Sequence, residues 1–213
     1  TIARAGLEAS GGEVLYDRDT RIIRLQDEAQ VELLPDEERA SVNISSARAA
    51  LAQIEHYMFF EGGTEIHTGD LVVQSQEATA YFGEEETALE RLELRGDATV
   101  RTSDGTLREM QASEITLLFE ETTRQFGGAT LSGRAHIELS GNDEIGSSID
   151  AMTVSVSMTP SGLDVMTLDA TGDVHLYLPR YGTQPEQQIR SEHLAGTGTP
   201  EAGLTTLRFE HGV

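Results

Sequence analysis

Six histidines are the side chains in this sequence best suited to metal binding or proton transfer. Two of them, His136 and His175, each stand three residues after a glycine, Gly133 and Gly172. If their segments lay close together, the two imidazoles could share a metal ion. The sequence has no His-Glu-x-x-His motif and no His-x-His pair, so a solvent-facing row of polar residues is the better interpretation. The six are His56, His67, His136, His175, His193 and His211.

Carboxylates are abundant, with 37 Asp and Glu residues, but no pair stands out as a general acid and base. With so many, some pair falls at a glycosidase-like separation by chance. Asp70, Asp97 and Asp173 each follow a glycine and could bind Ca²⁺, yet none belongs to the spaced Asp/Asn pattern of a calcium loop. No serine lies in a nucleophile-elbow motif. We therefore predict a protein without catalytic residues, metal or cofactor, and not an enzyme.

The charge balance is strongly acidic, with 15 Lys and Arg residues and a formal net charge of −22. Nucleic acid is disfavoured as a partner, because phosphate binding needs basic residues, and so is docking on an anionic membrane surface. The chain has no cysteine, which excludes disulfides and thiolate metal sites. No stretch approaches the roughly 20 apolar residues of a membrane-spanning helix, and no signal peptide is recognisable. Because it starts at Thr1 rather than Met, we expect a fragment or processed form of a longer chain.

The elements that must position these side chains form a repeat of short alternating segments, each ending at a turn residue. The turn residues lie at positions 27, 62, 96, 133, 172 and 211, at spacings of 35, 34, 37, 39 and 39 residues. Glycine occupies the inner positions, and Asp27 and His211 the outer ones. A strand-built repeat of this length cannot bury its apolar face alone, so neighbouring copies must stack. We predict an all-β fold of about six stacked antiparallel repeats, forming one domain over residues 1–213.

Apolar residues alternate with polar ones within each copy, which is typical of strands with one buried face. A glycine inside such a segment predicts a bulge or sharp bend where the sheet folds over. The fifth copy illustrates the alternation, and its expected inward residues are Met152, Val154, Val156 and Met158.

Residues 47–57 of the second copy are ambiguous, since their pattern could also describe a helix. We favour a strand, because Ala47, Ala49 and Leu51 follow the alternation seen in the other copies.

The shared apolar face could form either a dry core or a groove that admits a ligand. Leu, Ile, Val, Met and Phe dominate it, aromatic residues make up 5% of the chain, and Trp is absent. Such an aliphatic face suits long acyl chains better than sugars, which are usually bound on aromatic platforms. Burying one CH₂ contributes roughly 0.8 kcal/mol, so an acyl chain of about a dozen carbons could contribute up to ~9 kcal/mol before ordering costs.

Residues 112–119 (ASEITLLF), 128–139 (GATLSGRAHIEL) and 171–176 (TGDVHL) carry a pattern that resembles the OstA-like repeats. Those repeats belong to the periplasmic lipopolysaccharide-transport proteins LptA and LptC. The similarity extends over nearly the whole chain as a degenerate hydrophobic pattern. It implies an elongated twisted β-jellyroll, shaped like a folded taco, with an apolar groove along its length.

The same resemblance implies a non-enzymatic module in the periplasm of a Gram-negative envelope. Such a module would hold the acyl chains of lipopolysaccharide or a similar glycolipid, and would associate head to tail through its edge strands, with itself or with other jellyroll components. Carried to this sequence, the groove would be lined by Leu25, Val31, Phe60, Ile66, Leu94, Val100, Phe119, Leu131, Ile137, Val156, Leu176 and Phe209.

Two other classes of protein remain alternatives. A structural or adhesive β-solenoid would show the same repeat around a dry, packed interior without lipid. A polysaccharide-acting enzyme on a β-helix scaffold would need carboxylates and basic residues concentrated on one surface, which the sequence does not show. The net charge also conflicts with phosphorylated lipid headgroups, which would have to project outward or be bridged by divalent cations.

Overall fold

A computed structural model describes residues 1–4, 6–34, 41–83, 89–120, 125–140, 146–180, 183 and 185–210. These residues form β-strands and turns without an α-helix, so none of them belongs to a helix that could span a membrane. Seven short strands come first: β1 (Ile2–Arg4), β2 (Leu7–Ser10), β3 (Glu13–Asp17), β4 (Ile22–Gln26), β5 (Ala29–Leu33), β6 (Val42–Ser46) and β7 (Arg48–Ala52). Nine further strands follow: β8 (Tyr57–Thr68), β9 (Leu71–Phe82), β10 (Leu89–Thr102), β11 (Leu107–Phe119), β12 (Phe126–Leu139), β13 (Ser147–Met158), β14 (Val165–Leu178), β15 (Gln187–Thr199) and β16 (Gly203–Glu210).

All sixteen strands belong to one antiparallel sheet. From β8 onward each strand pairs with the next along the chain, in the order β8 to β16. On the other side of β8 the sheet divides into two branches, β6-β5-β2-β1 and β7-β4-β3. The predicted all-β fold of stacked antiparallel repeats, elongated and jellyroll-like, is confirmed.

A bulge at the repeat glycine bends every second long strand. Gly62, Gly96, Gly133 and Gly172 have φ between +75° and +84°, and the pairing register shifts at each of them. Glycine suits these positions because left-handed backbone costs other residues about 1–2 kcal/mol. Asp27 also has positive φ, so five of the six predicted turn positions lie at the bend, whereas His211 lies outside the described residues.

The bends fold the sheet into two layers that enclose the core. Layer 1 contains β1, β2, β5 and β6, with the halves of β8, β10, β12 and β14 that follow the bend and the halves of β9, β11, β13 and β15 that precede it. Layer 2 contains β3, β4, β7 and β16 with the other halves. Opposite the bend, hairpin turns form the two free margins of the layers, which we call the lips. Inward side chains of both layers form one continuous hydrophobic cluster from Ala9 to Leu194.

Serine hydroxyls stabilise the bend on the strands that lack the glycine. Ser46, Ser75 and Ser191 stand immediately before the bend and are buried. Each donates a hydrogen bond to the backbone carbonyl two residues later, at 2.9–3.0 Å. The carbonyls released from the ladder by the bend therefore keep a partner.

The bend also accounts for two errors in the predicted pattern. Met152, expected inward, lies at the bend of β13 and is 56% exposed, because the register with β14 shifts between positions 150 and 153. Ala47 lies at the equivalent place between β6 and β7 and is exposed. The side chains at these two positions point outward instead of inward, because a bulge changes the alternation of faces along the strand. The ambiguous residues 47–57 do form strand, over Arg48–Ala52, followed by a turn, as we favoured.

Candidate functional site

The twelve predicted lining residues all belong to the apolar interior. Ten of them are buried: Leu25, Val31, Phe60, Ile66, Leu94, Val100, Leu131, Ile137, Val156 and Leu176. The other two, Phe119 and Phe209, are partly buried and pack against the same cluster. These twelve side chains therefore turn away from solvent on both layers, whereas Met152 and Ala47, also expected inward, do not.

Among the described residues, the middle of the interior is closed to solvent. Leu25, Phe60, Val100, Leu131 and Ile137 are each 0% exposed, so no solvent-accessible space adjoins them. A protein interior of this kind is close-packed, and an acyl chain could enter only if side chains or layers moved apart. The open groove implied by the family resemblance is thus not present as an open channel beside these residues.

The apolar interior contains more residues than the twelve predicted lining residues. Several further side chains are fully buried within it, and their alternating positions were the signal that could have found them. They are Leu107, Met110, Ile115, Leu117, Ile149, Leu168 and Leu194.

Partly exposed members of the cluster concentrate along the lips. Six of the thirteen such members among the described residues stand at the first or last position of a long strand, where the hairpin turns begin. Phe119 and Phe126 face each other across the β11–β12 hairpin with ring centroids 6.3 Å apart and planes inclined by 61°. Such edge-to-face pairs stabilise their surroundings by about 0.5–1.5 kcal/mol. The others along the lips are Leu71, Leu89, Leu139 and Leu178.

The two ends of the sheet also present inward apolar side chains. Tyr16 on β3 pairs with the buried Ile23, so it points to the interior side, yet it is 54% exposed. At the opposite end Leu207 and Phe209 on β16 lie opposite Gly196 and Leu194 and are only partly buried. The core is therefore continuous between the ends and incompletely covered at both.

Histidines and carboxylates form pairs on the outer surface, some across neighbouring strands and some within one strand. Asp150 on β13 stands directly between His136 on β12 and His175 on β14. His136 Nδ1 lies 2.8 Å from Asp150 Oδ1, but His175 Nε2 bonds Asp173 Oδ1 at 3.0 Å instead. The two histidines are therefore separated by a strand, and each has its own carboxylate.

No cluster of metal ligands exists in the described ranges. No group of three or more His, Asp or Glu side chains lies close enough there to hold an ion. Asp70 accepts a hydrogen bond from Ser103 Oγ at 3.0 Å in a lip turn, whereas Asp97 and Asp173 stand at the bends. The three aspartates considered for calcium are therefore not brought together, and His211 lies outside the described residues.

Hydrogen bonds shift the pKa of several outer groups. The Asp169 carboxylate, 2.7 Å from His193 Nε2, raises the pKa of this histidine, with Glu210 adding to the effect. Hydrogen bonds from His67 and Gln74 lower the pKa of Glu65. Burial opposes ionisation of Glu109, but hydrogen bonds from Arg101 and Gln111 outweigh it and lower its pKa.

The other paired charges lie at the surface, with exposed arginines and partly buried glutamates. Arg48 and Glu61 lie 2.9 Å apart across β7 and β8, and Arg101 and Glu109 lie 2.9 Å apart across β10 and β11. Surface pairs of this kind contribute about 0–1 kcal/mol each. These pairs lie on the solvated outer face and join neighbouring strands. They do not form a catalytic arrangement.

A comparison of the chain with known protein families found no match, and a comparison with curated proteins found none either.

Proposed function

We propose that the chain is a non-enzymatic lipid-binding module whose apolar interior accepts the acyl chains of a glycolipid when its lips separate. The observation that carries the proposal is one uninterrupted aliphatic interior whose incompletely covered members lie along the lips and at both ends. The partly buried phenylalanines and leucines lie along the line where the two lips meet, which we call the seam, and at the two ends of the sheet, so separation of the lips would open a path to the interior. The similarity to the OstA-like repeats supports lipopolysaccharide as the ligand and the periplasm as the location.

In this proposal the distribution of charge on the protein determines how the ligand is oriented. The interior consists of aliphatic side chains with few polar groups, while acidic residues occupy the outer face. Acyl chains would lie inside, and phosphorylated headgroups would project from the seam, away from the carboxylates or bridged to them by divalent cations. The gain per buried CH₂ of roughly 0.8 kcal/mol must exceed the energy of opening the seam.

The ends of the sheet support head-to-tail association with a second copy or a similar jellyroll. Layer 1 extends beyond layer 2 at the start of the sheet, through β1, and layer 2 extends beyond layer 1 at its other end, through β16. These overhangs are complementary. β16 runs from lip to bend and β3 from bend to lip, so pairing them between copies would continue the antiparallel order. The first half of β15 in one copy and β1 in the next would also pair antiparallel. Exposed edges of this kind favour strand addition.

Photo-crosslinking can test lipid binding with a neighbouring control on the same strand. A photoreactive amino acid at Phe119 would point to the interior at the lip, and one at Leu118 would point to the outer face, where the native side chain is 48% exposed. We expect crosslinking of lipopolysaccharide at position 119 and not at 118. Equal labelling at both positions, or labelling at 118 alone, would contradict the proposal, because simple exposure favours position 118.

The complete burial of the deepest interior residues favours a second candidate, a structural β-element with a dry core. In that case neither position would crosslink to lipid, and the photoreactive group at position 119 would label only the protein itself.

A further inference from the structure

The β10–β11 turn crosses the seam and contacts the opposite lip. This turn belongs to layer 1, and the β13–β14 turn belongs to layer 2. The backbone N–H of Thr106 donates a hydrogen bond to the carbonyl of Leu163 at 3.0 Å. The backbone N–H of Val165 donates to Thr106 Oγ1, also at 3.0 Å. One threonine therefore makes two hydrogen bonds from one lip to the other.

Gly105 brings the two turns close enough for these bonds. Its φ is +85°, and a Cβ added to it would lie 2.0 Å from the carbonyl oxygen of Leu163. Any other residue would force the two backbones apart. The close approach of the lips thus depends on Gly105, which leaves space for the Leu163 carbonyl, and on Thr106, which makes the hydrogen bonds.

The β10–β11 turn is braced by neighbouring turns of layer 1, and the β13–β14 turn is braced internally, where the N–H of Thr159 donates to the carbonyl of Asp164 at 2.8 Å. Ser103 bonds Asp70 through its backbone N–H at 3.1 Å and its hydroxyl at 3.0 Å. Ser140 donates through its N–H to the Thr106 carbonyl and through its hydroxyl to the Gly105 carbonyl, both at 2.7 Å. Rigid turns on either side concentrate any opening motion in the Thr106 bonds between them.

The side chains beside this contact lead directly into the core. Leu107 follows Thr106, and Val165 and Leu168 follow the opposite turn; all three are buried. Separating the turns would expose them before any other interior residue of these strands.

We propose that Thr106 is a latch that holds the lips together, and that its release admits acyl chains to the interior. The latch rests on the proposed lipid-binding function, which it deepens by assigning the place of access. It explains how an interior closed to solvent could still accept a ligand without unfolding.

Thiol labelling can test the latch without lipid, because the chain has no cysteine. Val165→Cys places a thiol under the latch, and Val31→Cys places one in the core far from it; both native valines are 2% exposed. Adding Thr106→Val removes the hydroxyl that Val165 uses and keeps the side-chain shape. We expect the labelling rate at position 165 to rise on the order of tenfold, with position 31 unchanged. An unchanged rate at 165, or equal increases at both positions, would overturn the latch.

Matched variants separate the latch from general strain. Thr130→Val makes the same chemical change on an exposed outer position and should leave labelling at 165 unchanged. Gly105→Ala should increase labelling at 165. Gly162→Ala also places alanine at positive φ, but its Cβ meets Phe126 O only at 3.4 Å, so it should have a smaller effect. Equal effects of the two glycine variants would contradict a seam held by the close approach of Gly105.

A photoactivatable dodecanoic acid distinguishes failure of the latch from failure of the proposed function. If the latch and lipid binding are both correct, the Thr106→Val variant binds this probe faster than the native protein. The increase in rate should be proportional to the increase in thiol labelling. Faster thiol labelling with no probe bound in either protein would retain a mechanical latch and reject lipid binding. Probe binding at equal rates in both, with unchanged thiol labelling, would retain lipid binding and reject the latch.

Discussion

The bend of β8 offers the sharpest test of the fold, because two neighbouring glycines there differ in one respect only. Gly62 and Gly63 both have left-handed backbones, with φ of +84° and +87°. A Cβ on Gly62 would lie 2.6 Å from the Cβ of Ala47, whereas a Cβ on Gly63 would meet no atom within 4 Å. Alanine at either position therefore strains the backbone, but only at position 62 does it also collide with a neighbour.

The expected magnitudes follow from these two contributions. Left-handed strain costs about 1–2 kcal/mol, partly offset by about 0.4–1 kcal/mol from the reduced entropy of the unfolded chain. Overpacking costs about 1–3 kcal/mol more. We expect Gly63→Ala to lower the free energy of unfolding by about 1 kcal/mol and Gly62→Ala by about 2–4 kcal/mol.

A double-mutant cycle with Ala47→Gly isolates the collision. Removing the Ala47 methyl should recover about 1–3 kcal/mol of the loss in Gly62→Ala and nothing in Gly63→Ala. Urea unfolding followed by far-ultraviolet circular dichroism measures each free energy, with equal m-values as the check that the unfolded states match. Equal losses for both glycine variants, without recovery by Ala47→Gly, would refute the close approach of the two bends.

Further predictions concern the core, the end strands and pH. Ile137→Ala should lower the free energy of unfolding by about 2–5 kcal/mol, whereas Leu118→Ala on the outer face should change it by no more than about 0.5 kcal/mol; a loss below 1 kcal/mol at Ile137 would argue against close packing. Folding raises the pKa of His193. The stabilisation by its ion pair with Asp169 is therefore fully present below the ordinary histidine pKa of about 6.5. It is lost as the pH rises through the raised pKa of the folded state. His193→Gln should therefore reduce stability near pH 5.5 and much less near pH 9, as chemical denaturation at the two values can measure; a pH-independent loss would exclude titration as its cause. Tyr16→Lys places a charge at the exposed end of the interior and should weaken head-to-tail association in sedimentation experiments, while Leu118→Lys should not; equal association of both variants would contradict the end-to-end joint.

The histidine prediction also depends on the groups around His193. Asp169 on β14 and Glu210 on β16 face it, and Arg208 bonds Glu210 at 3.2 Å. Both carboxylates stabilise the protonated imidazole, so they act in the same direction, and the three strands at the end of layer 2 are joined more strongly at lower pH.

Much of the fold could be predicted from the sequence because the repeat is regular. Spacing placed the bends at residues 62, 96, 133 and 172, and positive φ is found at each of them. Alternation identified the inward side chains where strands are straight. It was wrong for Met152 and Ala47, since the bend reverses the faces locally, and a sequence pattern of period two does not indicate on which side of a bend a residue falls.

The state of the interior was less predictable. Whether an aliphatic face closes or stays open depends on how completely the two layers fit, which residue types alone do not determine. The contact that closes the seam joins Thr106 to Val165, 59 residues apart in sequence. Neither residue belongs to a recognisable motif, so no sequence signal could have indicated that these two turns meet.

Native mass spectrometry of the protein purified gently from the cells that produce it tests the central claim most directly. The interior can retain a ligand only if acyl chains displace its own packing, so bound lipid is the decisive quantity. We predict a population of the chain carrying the mass of an acylated glycolipid, released on unfolding. Detection of the chain at its unliganded mass alone, under conditions that preserve lipid on a known lipid-binding protein, would contradict lipid binding and favour the dry structural core.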